Sequence, residues 1–282
     1  MIQKNKTYLV TGATGTIGKH LCNKIISMGA NVVAFSRDKK KLNYLDNLHD
    51  NIDVISGDVS DKWQLKYITN HFEIDGIFHL AALASGSQSG EVIESINTNL
   101  IGTMNILSLS LSQKFDFVVG ISSDKAVKVS GVYGATKFLN EKLFLEHQKL
   151  NTNTNYRIVR LGNVIYSTDS VLEKWKDLIC KGKEVSISDP EATRFLITVQ
   201  QAVSIILNTL KQKDATPYFV DMKSVKLKDL LEAMILKYSS MPISVTQIPL
   251  SSSENKHEKI SLNSKSSEES EKYNIKELMD II

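Results

Sequence analysis

Residues 11–18, Thr-Gly-Ala-Thr-Gly-Thr-Ile-Gly, set three glycines at GxxGxxG spacing between an apolar run and a helical pattern. Few chain geometries accommodate that arrangement. Gly12 permits the tight turn out of a strand, Gly15 lets backbone approach a pyrophosphate, and Gly18 lets the helix pack closely on the strand. The helix that follows offers unpaired N–H groups and the positive end of its dipole to phosphate oxygens. Thr14, Thr16 and Ile17 lie in the turn beside them, so residues 12 and 14–18 form a candidate dinucleotide-binding segment.

The rest of the chain supports the layered fold that such a turn needs. Short β-branched runs at residues 7–10, 31–35, 53–56, 74–82, 115–122 and 156–161 alternate with helical patterns at 17–28, 97–114 and 132–150. Continuous apolar strands alternating with helices predict an α/β fold, a doubly wound parallel sheet of Rossmann type covered on both faces. Beyond residue 163 the alternation becomes irregular, with helical patterns at 170–181, 199–211 and 225–237 and strand-like pieces at 184–188 and 217–220. We read residues 1–163 as a cofactor-binding domain, with 193–222 packing back onto it, and 164–282 as a smaller mixed substrate region. Residues 251–272, dense in Ser, Glu, Lys and Asn, read as linker-like, and 275–282 as a short closing helix.

Composition narrows the partners. A net charge of +3 on 282 residues, without a basic stripe, gives no case for nucleic acid. No apolar run approaches the roughly 20 residues needed to span a bilayer, and no export signal is legible, so a cytoplasmic setting without membrane contact is expected. Cys22 and Cys180 fit a reducing compartment. The six histidines show no metal-ligand spacing, so no metal is expected, and His79 reads as a core residue.

Cofactor choice is read from the second strand. An acid about 20 residues after the glycine turn takes the ribose 2′-hydroxyl of NAD. Here Ser36 and Arg37 arrive first, a hydroxyl and a guanidinium suited to the 2′-phosphate of NADP. Asp58 and Val59 after the third strand suit the adenine edge, Ala81 and Ala82 leave room for close backbone approach, and Leu161 ends the sixth strand. At the end of the fifth strand stands Ser-Ser-Asp-Lys-Ala, 122–126, where open α/β sheets bind ligands. Tyr133 and Lys137 follow at i and i+4, on one helical face. A phenol ionises near pH 10 unaided, and a neighbouring ammonium makes it a usable base at neutral pH.

In these segments, together with NTNLIGT and RLGNV, the chain resembles the extended short-chain dehydrogenase/reductase family over residues 7 to about 245. SSDKA, YGATK and TRFLIT (193–198) are similar to its UDP-N-acetylglucosamine 4,6-dehydratases of the inverting, pseudaminic acid type. The resemblance implies an NADP-dependent hydro-lyase that makes a 4-keto-6-deoxy sugar for bacterial polysaccharide precursors, with its cofactor recycled internally. Tyr133 would deprotonate the sugar 4-hydroxyl as hydride leaves C4, Lys125 would remove the C5 proton, and Asp124 would protonate the departing 6-hydroxyl. Ser123 would bond the reacting oxygen, Lys137 would hold the ribose, Asn99 would lie at the cofactor, and Asn163 would contact substrate. A homodimer or larger homo-oligomer through the helices at 97–114 and 132–150 is implied too, with Ile106, Leu139 and Leu143 as candidate contacts.

The substrate side departs from that family. Ala84-Ser85 replace a Lys-His pair, Thr168 stands where an arginine is expected, and the segment at 251–258 keeps Glu254, His257 and Glu258 but lacks both cations of its counterpart. Arg194 is the remaining candidate for a diphosphate contact, unless it pairs with Asp189 or Glu191. Two alternatives stay open: a nucleotide-sugar 4-epimerase or 4-ketoreductase using the same tyrosine and lysine, and a non-catalytic NADP-binding sensor or assembly protein.

Overall fold

The computed structural model describes residues 1–47, 50–83, 92–167 and 170–282. Its first sheet joins β1 (Thr7–Thr11), β2 (Asn31–Ser36), β3 (Ile52–Ser56), β4 (Gly76–His79), β5 (Phe117–Ser123) and β6 (Asn155–Leu161) in the order β3-β2-β1-β4-β5-β6. Every neighbouring pair is parallel. This is the Rossmann order, and its reversal between β1 and β4 opens the crevice where such sheets take ligands. Residues 217–220, expected as a strand, run along the outer edge of β6 without forming one: Tyr218 donates its N–H to Ile158 O at 2.9 Å and accepts from Arg160 N at 2.8 Å.

Both faces are covered because the strands carry apolar side chains on both sides. On one face α1 (Thr16–Ser27) contributes Leu21, Cys22 and Ile25 to a buried cluster with Tyr8, Val10 and Val32. Helices α2 (Lys39–Asp46) and α3 (Lys62–His71), absent from the sequence reading, begin at Asp38 and Asp61, whose carboxylates accept first-turn backbone N–H groups. The helix expected from residue 97 is compound: one turn, α4 (Val92–Ser95), then a π-helical stretch Ile96–Ile101, then α5 (Gly102–Ser112). With α6 (Val132–Leu150) these cover the second face. Ile106 is wholly buried there, so it is unavailable to a second copy, whereas Leu139 is exposed.

After β7 (Asn163–Val164), α7 (Val171–Cys180), β8 (Val185–Ile187) and β9 (Thr193–Ile197), helix α8 (Val199–Asn208) sets Ala202, Val203 and Ile206 against the first cluster. Two small sheets follow, β7-β9-β10 with β10 (Ser224–Lys226), and β8 with β11 (Val245–Gln247). They share a third core with α7, α9 (Leu227–Tyr238) and α10 (Ile275–Ile281). Residues 251–272 are built into the fold, unlike the linker their composition suggested. Ile260 and Ser267 are fully buried, and Lys256 O and Glu271 O accept backbone N–H groups of Thr193 and Ser224 at 3.0 and 2.8 Å. Cys22 is a buried and Cys180 an exposed free thiol. Among the described residues no helix is long and apolar enough to cross a membrane.

Candidate active site

The glycine turn sits where β1 delivers it. Gly12 has φ +68°, and a Cβ on it would stand 2.7 Å from Ala81 N, so only glycine fits there. A Cβ on Gly18 would stand 2.2 Å from Gly12 O, which is the helix-to-strand contact that this position serves. Gly15, the N-cap of α1, supplies no side-chain cap to the first turn. Those N–H groups therefore suit a pyrophosphate. At the β2 end, Thr14 Oγ1 and Ser36 Oγ are 2.6 Å apart, and the half-exposed Arg37 guanidinium lies 2.8 Å from Glu94 and 3.9 Å from Asp58.

Some predicted cofactor residues are committed to the protein itself. Leu161 is a core side chain, and Val59 is buried under Gly102. Asn99 is also buried: its Oδ1 accepts from Leu83 N at 2.8 Å, and its Nδ2 donates to Leu83 O and Thr136 Oγ1 at 3.2 and 3.1 Å. It braces the segment after β4 against α6. His79 is a satisfied core residue, as expected. Its ring nitrogens meet Thr11 Oγ1 at 2.8 Å and Thr103 Oγ1 at 3.1 Å, and burial presses its pKa down to about 3. Among the described residues no group of three or more His, Cys, Asp or Glu is placed to hold a metal ion.

The strand-end residues converge. Ser123 caps the short helical turn Asp124–Ala126 and donates to Asp124 Oδ1 at 2.6 Å. Lys125 Nζ reaches Asn163 Oδ1 at 3.4 Å and Glu258 Oε1 at 3.3 Å, with Asp124 Oδ1 at 3.7 Å. Burial opposes charge at Lys125, but the Asp124 and Glu258 carboxyls outweigh it and hold the ammonium above the usual lysine range. Burial likewise opposes ionisation of Asp124. Lys125 and the bonds from Glu258, Ser123 and the Lys125 N–H prevail, so its pKa is lowered. The resting pair is therefore ammonium and carboxylate.

Tyr133 stands beside this group, and Lys125, Asp124 and Ser123 all act on its phenol. Burial raises its phenol pKa, and the cation that opposes this rise is Lys125. Lys137, expected to tune the phenol, instead donates to Ile121 O at 2.8 Å and lies 5.6 Å above the tyrosine ring. Burial presses Lys137 down to about 8, against the pull of Glu141.

Arg194 faces neither Asp189 nor Glu191, which pair with Lys256, Lys226 and Lys228. Its Nε is 3.5 Å from Glu258 and its Nη2 3.7 Å from Glu254, while its Nη1 donates to the carbonyls of Thr193, Asn255 and Lys256. Asn163, read as a substrate contact, spends its amide on Phe195 O and Glu258 Oε2 at 3.1 and 3.0 Å. Glu258 is the residue that sequence reasoning undervalued. It is buried, and burial and then the Asp124 charge push its pKa up to about 7, against Lys125 and Arg194. The substitutions at 84, 85 and 168 lie outside the described residues.

The chain is 33% identical to an uncharacterized membrane protein of Methanocaldococcus jannaschii over 99% of its own length and 85% of that protein's. It is 29% identical to the UDP-N-acetylglucosamine 4,6-dehydratase (inverting) of Campylobacter jejuni (81% and 71%). It is also 28% identical to the UDP-glucose 4-epimerase of Rickettsia rickettsii (80% and 69%). The solved structure of Pen from Bacillus thuringiensis superposes with a TM-score of 0.89 at 26% identity, covering 99% and 98% of the two chains. A family profile described as polysaccharide biosynthesis protein matches residues 8–280, and the chain belongs to that family.

Proposed function

We propose that the protein is a nucleotide-sugar 4,6-dehydratase that takes a UDP-N-acetylhexosamine and uses NADP. The observation that carries this reading is the convergence of Tyr133, Ser123, Asp124 and Lys125 at the carboxyl end of β5. Oxidation of a sugar carbinol needs one base, and a tyrosine supplies it. Elimination of a hydroxyl β to the resulting ketone needs a second acid–base pair, and Asp124 with Lys125 supplies that. An epimerase or ketoreductase needs only the tyrosine, so a buried aspartate paired with Lys125 beside it favours dehydration.

NADP, when bound, supplies a hydride acceptor and donor over the same crevice. The turn at 12–18 would hold its pyrophosphate, and Ser36 with Arg37 its 2′-phosphate; the 2.8 Å Arg37–Glu94 pair keeps that guanidinium at the strand end. Tyr133 would take the 4-hydroxyl proton, and Ser123, 2.6 Å from Asp124, would bond the reacting oxygen. Asp124 would deliver a proton to the departing 6-hydroxyl, while Lys125 would exchange the C5 proton. Incubation with UDP-N-acetylglucosamine and NADP or NAD, followed at 340 nm and by NMR of the product, tests this reading. A 4-keto-6-deoxy sugar without net change at 340 nm, formed faster with NADP, is expected. A 4-epimer, or steady consumption of NADPH with a 4-keto sugar, would instead assign an epimerase or a reductase.

A further inference from the structure

The resting charges leave a difficulty for the elimination just proposed. Lys125 as ammonium cannot take a proton from carbon, and Asp124 as carboxylate cannot give one to oxygen. One proton must first cross from the first to the second. The direct path is poor, because Lys125 Nζ stands 3.7 Å from Asp124 Oδ1, beyond hydrogen-bond length. That oxygen already accepts from Ser123 Oγ at 2.6 Å and from Lys125 N at 2.9 Å. The other oxygen, Oδ2, is buried and receives no donor from the protein unless a neighbouring carboxyl carries a proton. A buried carboxylate oxygen without a donor is rare and calls for a partner.

Glu258 is the carboxyl that neighbours Asp124. It approaches from the segment after β11, with Oε1 at 3.3 Å from Lys125 Nζ and its carboxyl able to bond Asp124. Its second oxygen is fixed by Asn163 Nδ2 at 3.0 Å and Phe195 N at 3.3 Å, and Ser267 Oγ anchors its backbone N–H at 2.8 Å. The charged groups facing it are Asp124 and Lys125 from the β5–α6 connection and Arg194 from β9.

We propose that Glu258 relays a proton from Lys125 to Asp124, converting the resting ion pair into the amine and carboxylic acid that elimination requires. In the first transfer a Lys125 N–H bond breaks and a Glu258 O–H bond forms. In the second, that O–H bond breaks and an O–H bond forms on Asp124. Glu258 ends as it began, Lys125 is neutral, Asp124 is protonated, and no outside reactant is consumed. A carboxyl pushed up to about 7 exchanges a proton readily near neutrality, which suits a relay better than an ordinary glutamate. Glu258 acts through its neighbours and is a positioning residue.

This inference rests on the dehydratase reading, and Glu258→Gln tests it. The amide keeps the shape of the carboxyl but cannot carry the proton onward. With UDP-N-acetylglucosamine and NADP, kcat should fall about 100-fold while KM stays within about threefold. Independently of turnover, infrared difference spectra of the wild-type protein should show a protonated carboxyl that titrates near neutral pH and is missing from the variant. A variant with kcat within about threefold of wild type overturns the relay alone. So does a wild-type protein without that carboxyl signal, whether or not the variant folds. A wild-type protein that makes no 4-keto-6-deoxy product overturns the dehydratase reading and the relay together.

Discussion

Lys125→Ala is expected to lower formation of the 4-keto-6-deoxy product by about 10²- to 10⁴-fold, the range that a positioned acid–base group contributes. NADP affinity should be nearly unchanged, because Lys125 touches Asp124, Asn163 and Glu258 and no residue of the glycine turn. The variant also isolates the oxidation step, since that step uses Tyr133: absorbance at 340 nm should rise on mixing with substrate and persist. Its pH dependence has a definite sign. Lys125 is the cation that opposes the upward shift of the Tyr133 phenol. Removing it raises the phenol pKa further, so the oxidation step should need a more alkaline pH than in wild type. Full turnover by the variant would remove Lys125 from the chemistry.

The second large effect is on stability. Glu141 is buried in α6; its Oε1 accepts from Ser122 Oγ at 2.6 Å and from Arg160 Nε at 2.7 Å, and its Oε2 from Arg160 Nη2 at 2.7 Å. The same guanidinium donates to Ile260 O at 2.9 Å, which ties the segment carrying Glu258 to β6. Glu141→Ala leaves that largely buried cation without its carboxylate, a change that costs about 3–5 kcal/mol. Urea denaturation followed by circular dichroism should show that loss as a lower midpoint. A midpoint indistinguishable from wild type would mean that the pair contributes nothing to the fold. The effect should reach the site as well, because Ser122 adjoins Ser123.

The parallel sheet and the glycine turn were legible because they depend on local pattern. Continuous apolar runs, the GxxGxxG spacing and the i, i+4 pair of Tyr133 and Lys137 are all contained in short windows. Helices α2 and α3 were not, since each buries only two apolar side chains, Leu42 with Leu45 and Leu65 with Ile68. Their aspartate caps were the signal that could have found them. The polar stretch 251–272 was misjudged because composition counts Ser as solvated. Here Ser267 Oγ instead accepts Glu258 N at 2.8 Å and donates to Thr193 O at 3.1 Å in a buried position.

The chemistry followed the same division. Ser123, Asp124, Lys125 and Tyr133 are close in sequence and were found together. Glu258 meets them through tertiary packing across 133 residues of chain, Arg194 pairs with Glu258 in turn, and no local spacing announces those contacts. The resemblance gave Asp124 the role of acid and Lys125 the role of base, whereas at rest their surroundings favour carboxylate and ammonium. Burial and mutual charge decide that, and both are properties of the fold.

Deuterium placed at C4 of UDP-N-acetylglucosamine tests most directly whether one tyrosine and one acid–amine pair serve a single sugar over a single nicotinamide face. Product NMR should find the label on the C6 methyl group of a 4-keto-6-deoxy sugar. Label retained at C4 of an epimer, or lost to solvent or to released cofactor, would contradict the account.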